Sequence, residues 1–355
     1  MNHRPLSLFA ALFIAVSLAD GSTHAADPVR VGILGMDNYQ AIEYAAFFNN
    51  PKAEGDLAGL RVTAAYPVTS PDYPKSAELT AMWLEQLANQ FKGQPDAPPP
   101  VEIVNSTEEL LKRCDAVMIW SLDGRMHLAQ ATEVINAGKP LFIGRPLASS
   151  PADAVAIMKL AIAAKVPCWS CSQHRYSPGF IGMRNHEEVG NVLGCDVYGG
   201  WDPNAPEADK FARALHSLET MYTIMGPGCV KVSCTSTPKT ESITAVWSDG
   251  RVATYRGVKE GAVKYSATVF GDKGVSTAGI YGHGIPVKGI VPTDDKYMGY
   301  GGLAIELAKY FKSGKPPVTP AETLEIFALI QAAEESKAQG GAVVELPILL
   351  PATDK

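Results

Sequence analysis

The first half of this chain repeats one pattern: a short apolar run, a turn, then a longer segment of helical periodicity. Val29-Arg30-Val31-Gly32-Ile33-Leu34 reads as a compact strand ending at Gly35. A helix follows over Tyr39 to Asn50 and is stopped by Asn49-Asn50-Pro51. Leu60 to Ala65 reads as a second strand, Pro74 to Phe91 as a helix and Gly93 to Pro100 as a Pro-rich connector. After a short strand at Val101 to Val104, Ser106-Thr107-Glu108-Glu109 forms a capping box that opens the next helix. Ala116 to Trp120 and Pro140 to Ile143 are buried strands on either side of a helix from Met126 to Ala137. Ser150-Pro151-Ala152-Asp153 caps one more helix, with Pro at its first position. Strands apolar along their whole length, alternating with helices, predict a parallel, doubly wound α/β sheet of the Rossmann type.

After about Ser172 the pattern changes. Thr244 to Trp247, Val252 to Arg256 and Tyr265 to Phe270 follow one another with turns at Asp249-Gly250 and Asp272-Lys273-Gly274. That spacing predicts a second α/β domain with a largely antiparallel, open-faced sheet. Leu303 to Lys312 and Ala321 to Ala338 return to helical periodicity, and the last helix is expected to return to the first domain. The amino end is different again. Met1-Asn2-His3-Arg4 precedes an apolar run from Leu6 to Ala19 and small residues up to Ala25, the layout of a cleavable signal peptide. The expected division is 1–25 signal peptide, 26–172 Rossmann-like domain and 173–355 substrate and oligomerisation domain. Cleavage leaves about 330 residues, more than one core usually holds.

A formal net charge of -6 with no long basic run argues against nucleic acid and against an anionic membrane surface. No later segment has the length and apolarity of a membrane span. The leader implies a periplasmic or secreted protein. Cys168-Trp169-Ser170-Cys171 has the spacing of a redox pair, but on a strand residues three apart face opposite sides, so buried free thiols are expected.

Several motifs then occur in a telling order. They are the strand–Gly–helix start, the apolar strand ending Gly144-Arg145-Pro146-Leu147-Ala148, His216 followed by Glu219, and Pro316 to Glu325 ahead of a final helix. Together they resemble the Gfo/Idh/MocA oxidoreductase family across nearly the whole mature chain. The resemblance implies a Rossmann domain for NAD(P) and a second domain that presents a sugar or cyclitol, with a homo-oligomer formed through the open sheet. It also implies a Lys of an E/D-K-P motif and a His that flank the reacting carbon. On that pattern His216, Glu219 and Arg145 are the catalytic candidates. Gly35, Asp37, Asn38, Asp123, His127 and Pro146 are the cofactor-binding candidates, and Arg175 and Tyr176 line the substrate cleft.

The chain departs from the pattern at informative places. A dinucleotide fingerprint needs three glycines, and Gly35-Met36-Asp37-Asn38-Tyr39-Gln40 keeps only the first. Asp37 stands where pyrophosphate should approach, Gln40 where the helix should pack, and Tyr66-Pro67 where an acid should bond the ribose. Arg145 replaces the Lys and stays charged at neutral pH. The acid four residues before His216 is Ala212. His216 and Glu219, three apart, are expected to share one helix face. His216 could instead be a buried, satisfied histidine, Asp123-Gly124 a plain turn, and Arg175 an ion-pair residue. A divalent metal held by His216, Glu219 and His127 or His174 is a further alternative, although no H-x-x-x-H pair occurs. Three readings stay open: a sugar-directed NAD(P) oxidoreductase, a non-redox glycan hydrolase or lyase using His216 and Glu219, and a non-catalytic carbohydrate-binding protein. Export with a folded cofactor needs a twin-Arg leader, and this one has Arg4 alone.

Overall fold

The computed structural model describes residues 27–184, 186–202, 212–261, 265–279 and 299–349. The leader, and His283, lie outside the described residues. The first sheet has six strands: β1 (Val29–Leu34), β2 (Leu60–Tyr66), β3 (Glu102–Ile103), β4 (Ala116–Ile119), β5 (Leu141–Gly144) and β6 (Cys168–Cys171). Their order is β3-β2-β1-β4-β5-β6 and every pairing is parallel. The order reverses between β1 and β4, so the topological switch point lies there, where open sheets of this kind place ligands.

The helices of this half are α1 (Gln40–Phe48), α2 (Ser76–Asn89), α3 (Thr107–Arg113), α4 (His127–Asn136) and α5 (Pro151–Ala164). Their starts obey the capping chemistry read from the sequence. Ser106 Oγ accepts from the Glu109 amide at 3.2 Å, and Ser150 Oγ accepts from the Asp153 amide at 3.1 Å. The six cysteines are buried and free, as expected for Cys168 and Cys171 on β6, and burial pushes the Cys168 thiol up to about 12.

A one-turn helix at Gln173–Tyr176 and α6 (Pro178–Ile181) lead into the second sheet. Its strands are β7 (Val192–Gly200), β8 (Cys229–Ser236), β9 (Thr240–Trp247), β10 (Val252–Val258), β11 (Ser266–Gly271), β12 (Val275–Gly279) and β13 (Val344–Glu345). They run in the order β12-β11-β7-β10-β9-β8-β13, and only the β7–β10 pairing is parallel. Alternating burial along β9 shows one covered face and one open face.

Between β7 and β8 runs α7 (Ala212–Met225), and the chain ends through α8 (Gly299–Ser313) and α9 (Pro320–Ala338). α7 places Leu215, Leu218, Met221 and Tyr222 in the core of the second sheet. α8 packs Leu303, Leu307 and Tyr310 against the first sheet beside α1. α9 joins the two halves. Ile326, Leu329 and Ile330 lie in the second core, while Leu324 and Phe327 lie in the layer formed by α4 and α5. Among the described residues no helix is long and apolar enough to cross a membrane.

Candidate functional site

At the switch point, Gly35 turns the chain at φ 85°, and a Cβ there would come within 2.3 Å of Ser121 Oγ, so this position needs glycine. The next polar residues are bonded to the protein itself. Asp37 is buried, its Oδ1 accepting from the Leu122 amide at 2.9 Å and its Oδ2 from Ser76 Oγ at 2.7 Å. Burial raises the Asp37 pKa against the pull of those bonds. Asn38 Oδ1 accepts from the Gln40 amide at 3.0 Å, and the Asn38 carbonyl accepts from the Ala41 amide at 3.0 Å. The carboxamide of Gln40 is buried with neither end bonded. Ser70, in the segment after β2, reaches across the crevice and donates to Asp123 Oδ2 at 2.5 Å.

Asp123 is also gripped by Arg125 Nε at 2.8 Å and Nη2 at 2.7 Å. Burial pushes its carboxyl up, but the bonds from Arg125 and Ser70 outweigh that and leave it below the usual range. His127 is fully buried. Its Nε2 meets the Ser121 carbonyl at 2.9 Å and its Nδ1 the Pro146 carbonyl at 3.0 Å. Burial lowers its pKa, and the ring clamps the loop after β4 to the cis Arg145–Pro146 segment after β5. The cofactor-binding candidates Asp37, Asn38, Asp123 and His127 are thus each bonded to the protein itself: Asp37, Asp123 and His127 through bonds within and between loops, and Asn38 through its Oδ1.

One strand further along the sheet the situation is different. Gly144 pairs with Cys171 in the β5–β6 register, which sets Arg145 and Ser172 side by side just past the strand ends. Ser172 Oγ lies 2.5 Å from His216 Nδ1, and the same oxygen accepts from the His174 amide at 3.1 Å. The His174 and His216 rings stack with centroids 4.2 Å apart. Tyr265 stands edge-on to both, at 4.6 and 5.4 Å. Burial, then His174 and Arg145, hold the His216 pKa well below the usual range; burial and Arg145 bring His174 down to about 3. Both imidazoles are thus neutral at pH 7. Among the described residues His216 Nε2 has no hydrogen-bond partner, and Arg145 forms no ion pair. Arg145 is half-buried, and its Nε is buried and unbonded.

Glu219 does not serve His216. Arg175 Nε donates to Glu219 Oε2 at 2.8 Å and Arg175 Nη1 to Glu322 Oε1 at 2.7 Å, in a buried triad joining α7, the one-turn helix after β6 and the start of α9. Burial works against the Arg175 charge, but the two carboxylates outweigh it and raise its pKa; burial likewise raises that of Glu219. Glu219, a catalytic candidate, and Arg175, a candidate for the substrate cleft, are thus bonded to each other in an internal clamp. Tyr176, the other cleft candidate, packs against neighbouring elements. Its ring packs edge-on to Trp169 at 6.2 Å, and its carbonyl would lie 2.7 Å from a Cβ at Gly302 in α8. The metal alternative fails on the same geometry, since His127 and Glu219 are committed elsewhere. Among the described residues no group of three His, Cys, Asp or Glu could hold a metal ion. Sequence reasoning missed Ser172 and Tyr265, and weighed His174 only as a metal ligand. Its one available signal was the polar run Ser172-Gln173-His174-Arg175 directly after an apolar strand.

Comparison with known proteins agrees with this architecture. Residues 29–171 match the family model described as "Oxidoreductase family, NAD-binding Rossmann fold". A curated relative, inositol 2-dehydrogenase 1 from Saccharopolyspora erythraea, is 22% identical over 63% of this chain and 61% of its own length. The matched part therefore spans about three-fifths of that relative. A putative myo-inositol dehydrogenase from Sinorhizobium meliloti superposes with a TM-score of 0.67 at 17% identity, covering 90% of this chain and all of that one. GenD2 from gentamicin A biosynthesis, solved in complex with NAD, gives 0.65 at 16% identity, covering 93% of this chain and 99% of its own.

Proposed function

Through residues 29–171 this chain belongs to the Gfo/Idh/MocA oxidoreductase family, and we propose that it binds a small sugar or polyol at the cluster of Arg145, His174, His216 and Tyr265, where His216 Nε2 accepts a hydrogen bond from a ligand hydroxyl. The observation that carries this reading is the state of His216, a neutral imidazole anchored at Nδ1 by Ser172 with Nε2 left without a partner among the described residues. In the tautomer whose Nδ1–H donates to Ser172, Nε2 keeps a free lone pair, the form that accepts a hydrogen bond from a ligand hydroxyl. Arg145 supplies a fixed cation for a ligand oxygen, and the Tyr265 ring forms a wall on which a sugar face can pack. The polyol substrate in the name of the curated relative supports the ligand class.

The dinucleotide is where this chain departs from the description of its family, an NAD-binding Rossmann fold. A pyrophosphate needs free amides at the start of α1 and glycine beside it. Here the Gln40 and Ala41 amides are taken by Asn38, and the Asp37 carboxylate lies in the turn, bonded to Leu122 and Ser76. The residues present do not fit the cofactor in this arrangement, so no hydride step is assigned. A second reading, an NAD(P)-dependent dehydrogenase, is favoured by the retained Gly35 turn and by the NAD complex of the GenD2 structure. Export through the leader and self-association through the open face of the second sheet complete the proposal. Amino-terminal sequencing of the envelope protein should read from Ala26, and a sequence starting at Met1 would remove the export assignment.

The central test pairs affinity with stability. His216→Gln is expected to weaken binding of the best sugar or polyol in a screened panel by about tenfold or more. Its melting temperature should stay close to that of the parent. A folded variant with undiminished affinity would refute the role of His216. Calorimetry that found micromolar NADP binding by the unaltered protein would favour the dehydrogenase reading.

A further inference from the structure

We infer that the ligand of this cluster carries a carboxylate, as a sugar acid or other polyhydroxy acid does, and that Arg145 is the residue that selects it. This rests on the reading of the His216 cluster as the ligand site and narrows it to one substrate class.

The charges around one side chain point to this class. Arg145 follows β5 directly and stands beside Ser172, which holds His216. A guanidinium stays charged at any working pH, so the cluster always carries this positive charge. Four carboxylates on the neighbouring elements are committed elsewhere. Glu219 and Glu322 are held by Arg175, Asp123 by Arg125 and Ser70, and Asp37 by Leu122 and Ser76. Among the described residues none forms an ion pair with Arg145. The Nε–H is shielded from water and bonded to nothing, so the approach to this guanidinium is from its Nη end. A charged group without a counter-ion is costly, and protein interiors pair such groups unless something else supplies the acceptor. A carboxylate lying in the guanidinium plane answers this, taking one N–H from each Nη through two parallel bonds.

The same charges separate a carboxylate from a phosphate. A phosphate monoester carries nearly two negative charges at neutral pH and calls for more than one cation. The other basic groups of the cluster, His174 and His216, are neutral, and the nearby Arg175 already serves two carboxylates. One cation beside two neutral imidazoles matches one carboxylate. Stacked imidazoles and a tyrosine ring around it suit the hydroxyl-bearing remainder of a sugar acid.

Isothermal calorimetry on the full mature chain tests this, with D-glucuronate and D-gluconate as acids, D-glucose and myo-inositol as neutral probes, and D-glucose 6-phosphate as the phosphate arm. At low ionic strength at least one acid should bind tenfold or more tighter than its neutral counterpart. Arg145→Gln should erase that preference, and Arg145→Lys, which keeps the charge and loses the fork, should restore part of it. Melting temperatures of both variants check that they fold. Equal binding of acid and neutral sugar, or preference for the phosphate, would overturn the carboxylate inference and leave the proposed sugar site standing. If no probe binds and His216→Gln changes nothing, the inference and the site reading fall together.

Discussion

At the carboxyl ends of β1 and β4, the side chains of Asp37, Asn38, Ser70, Ser76 and Asp123 are all bonded to other parts of the protein. Past β5 and β6, an arginine has no counter-ion and an imidazole nitrogen no partner among the described residues. Both places lie on the edge of one parallel sheet where ligands are expected, and both look polar in sequence. What separates them is the kind of group left unspent: beside the first only the neutral Gln40 carboxamide is unbonded, and at the second a guanidinium and an imidazole nitrogen are. A polar group that has found a protein partner stabilises the fold and offers little to a ligand, whereas an unpartnered one has only a ligand or water to turn to.

The strongest way to break this comparison is to attack the clamp that takes Glu219 out of the reactive set. Arg175→Ala leaves the buried Glu219 and the half-buried Glu322 without their cation. Removing one partner of such a group costs about 3–5 kcal/mol. Urea unfolding should show a loss of that size, and a variant as stable as the parent would return Glu219 to the list of catalytic candidates.

The second test uses acid, because the two regions respond with opposite sign. His174 and His216 have folded pKa values below the usual histidine value, so the unfolded chain binds more protons than the native one once pH drops below about 6.5. Stability is then lost at roughly 1.4 kcal/mol per pH unit for each such histidine, and for His174 the loss continues toward pH 3. Asp37 has a raised folded pKa, so its burial penalty applies while it is ionised and is relieved as pH falls through that value. Unfolding midpoints at pH 7.5, 6 and 5 should fall along the series, since the histidines titrate first. His174→Gln should flatten the slope and Asp37→Asn should not. A stability independent of pH over that range would contradict the neutral, buried histidine pair.

The smallest effect expected is the most direct probe of the crevice. Asp37→Gly with Gln40→Gly removes the carboxylate from the turn and the orphaned amide from the helix start. Added NADP, expected to bind the parent with a dissociation constant of about a millimolar or weaker, should bind the double variant about tenfold tighter. Unchanged affinity would move the obstacle away from this turn.

The parallel sheet was legible in the sequence because a strand covered on both faces must be apolar throughout, and few other structures produce such runs at this spacing. The helix starts at Ser106 and Ser150 were legible because capping is local chemistry. So was the first-glycine turn at Gly35, and so was His216 as a residue of interest. The partners of the site residues were not. Spacing correctly placed His216 and Glu219 on one helix, yet Glu219 is claimed by Arg175 and Glu322 from segments far away in the chain. Ser172, His174 and Tyr265 reach His216 only because β6, α7 and the strand beginning at Ser266 converge in space. Short-range order in a sequence determines periodicity, caps and turns. Which charge meets which, and which is left over, depends on contacts between distant segments, and tertiary packing alone decides that.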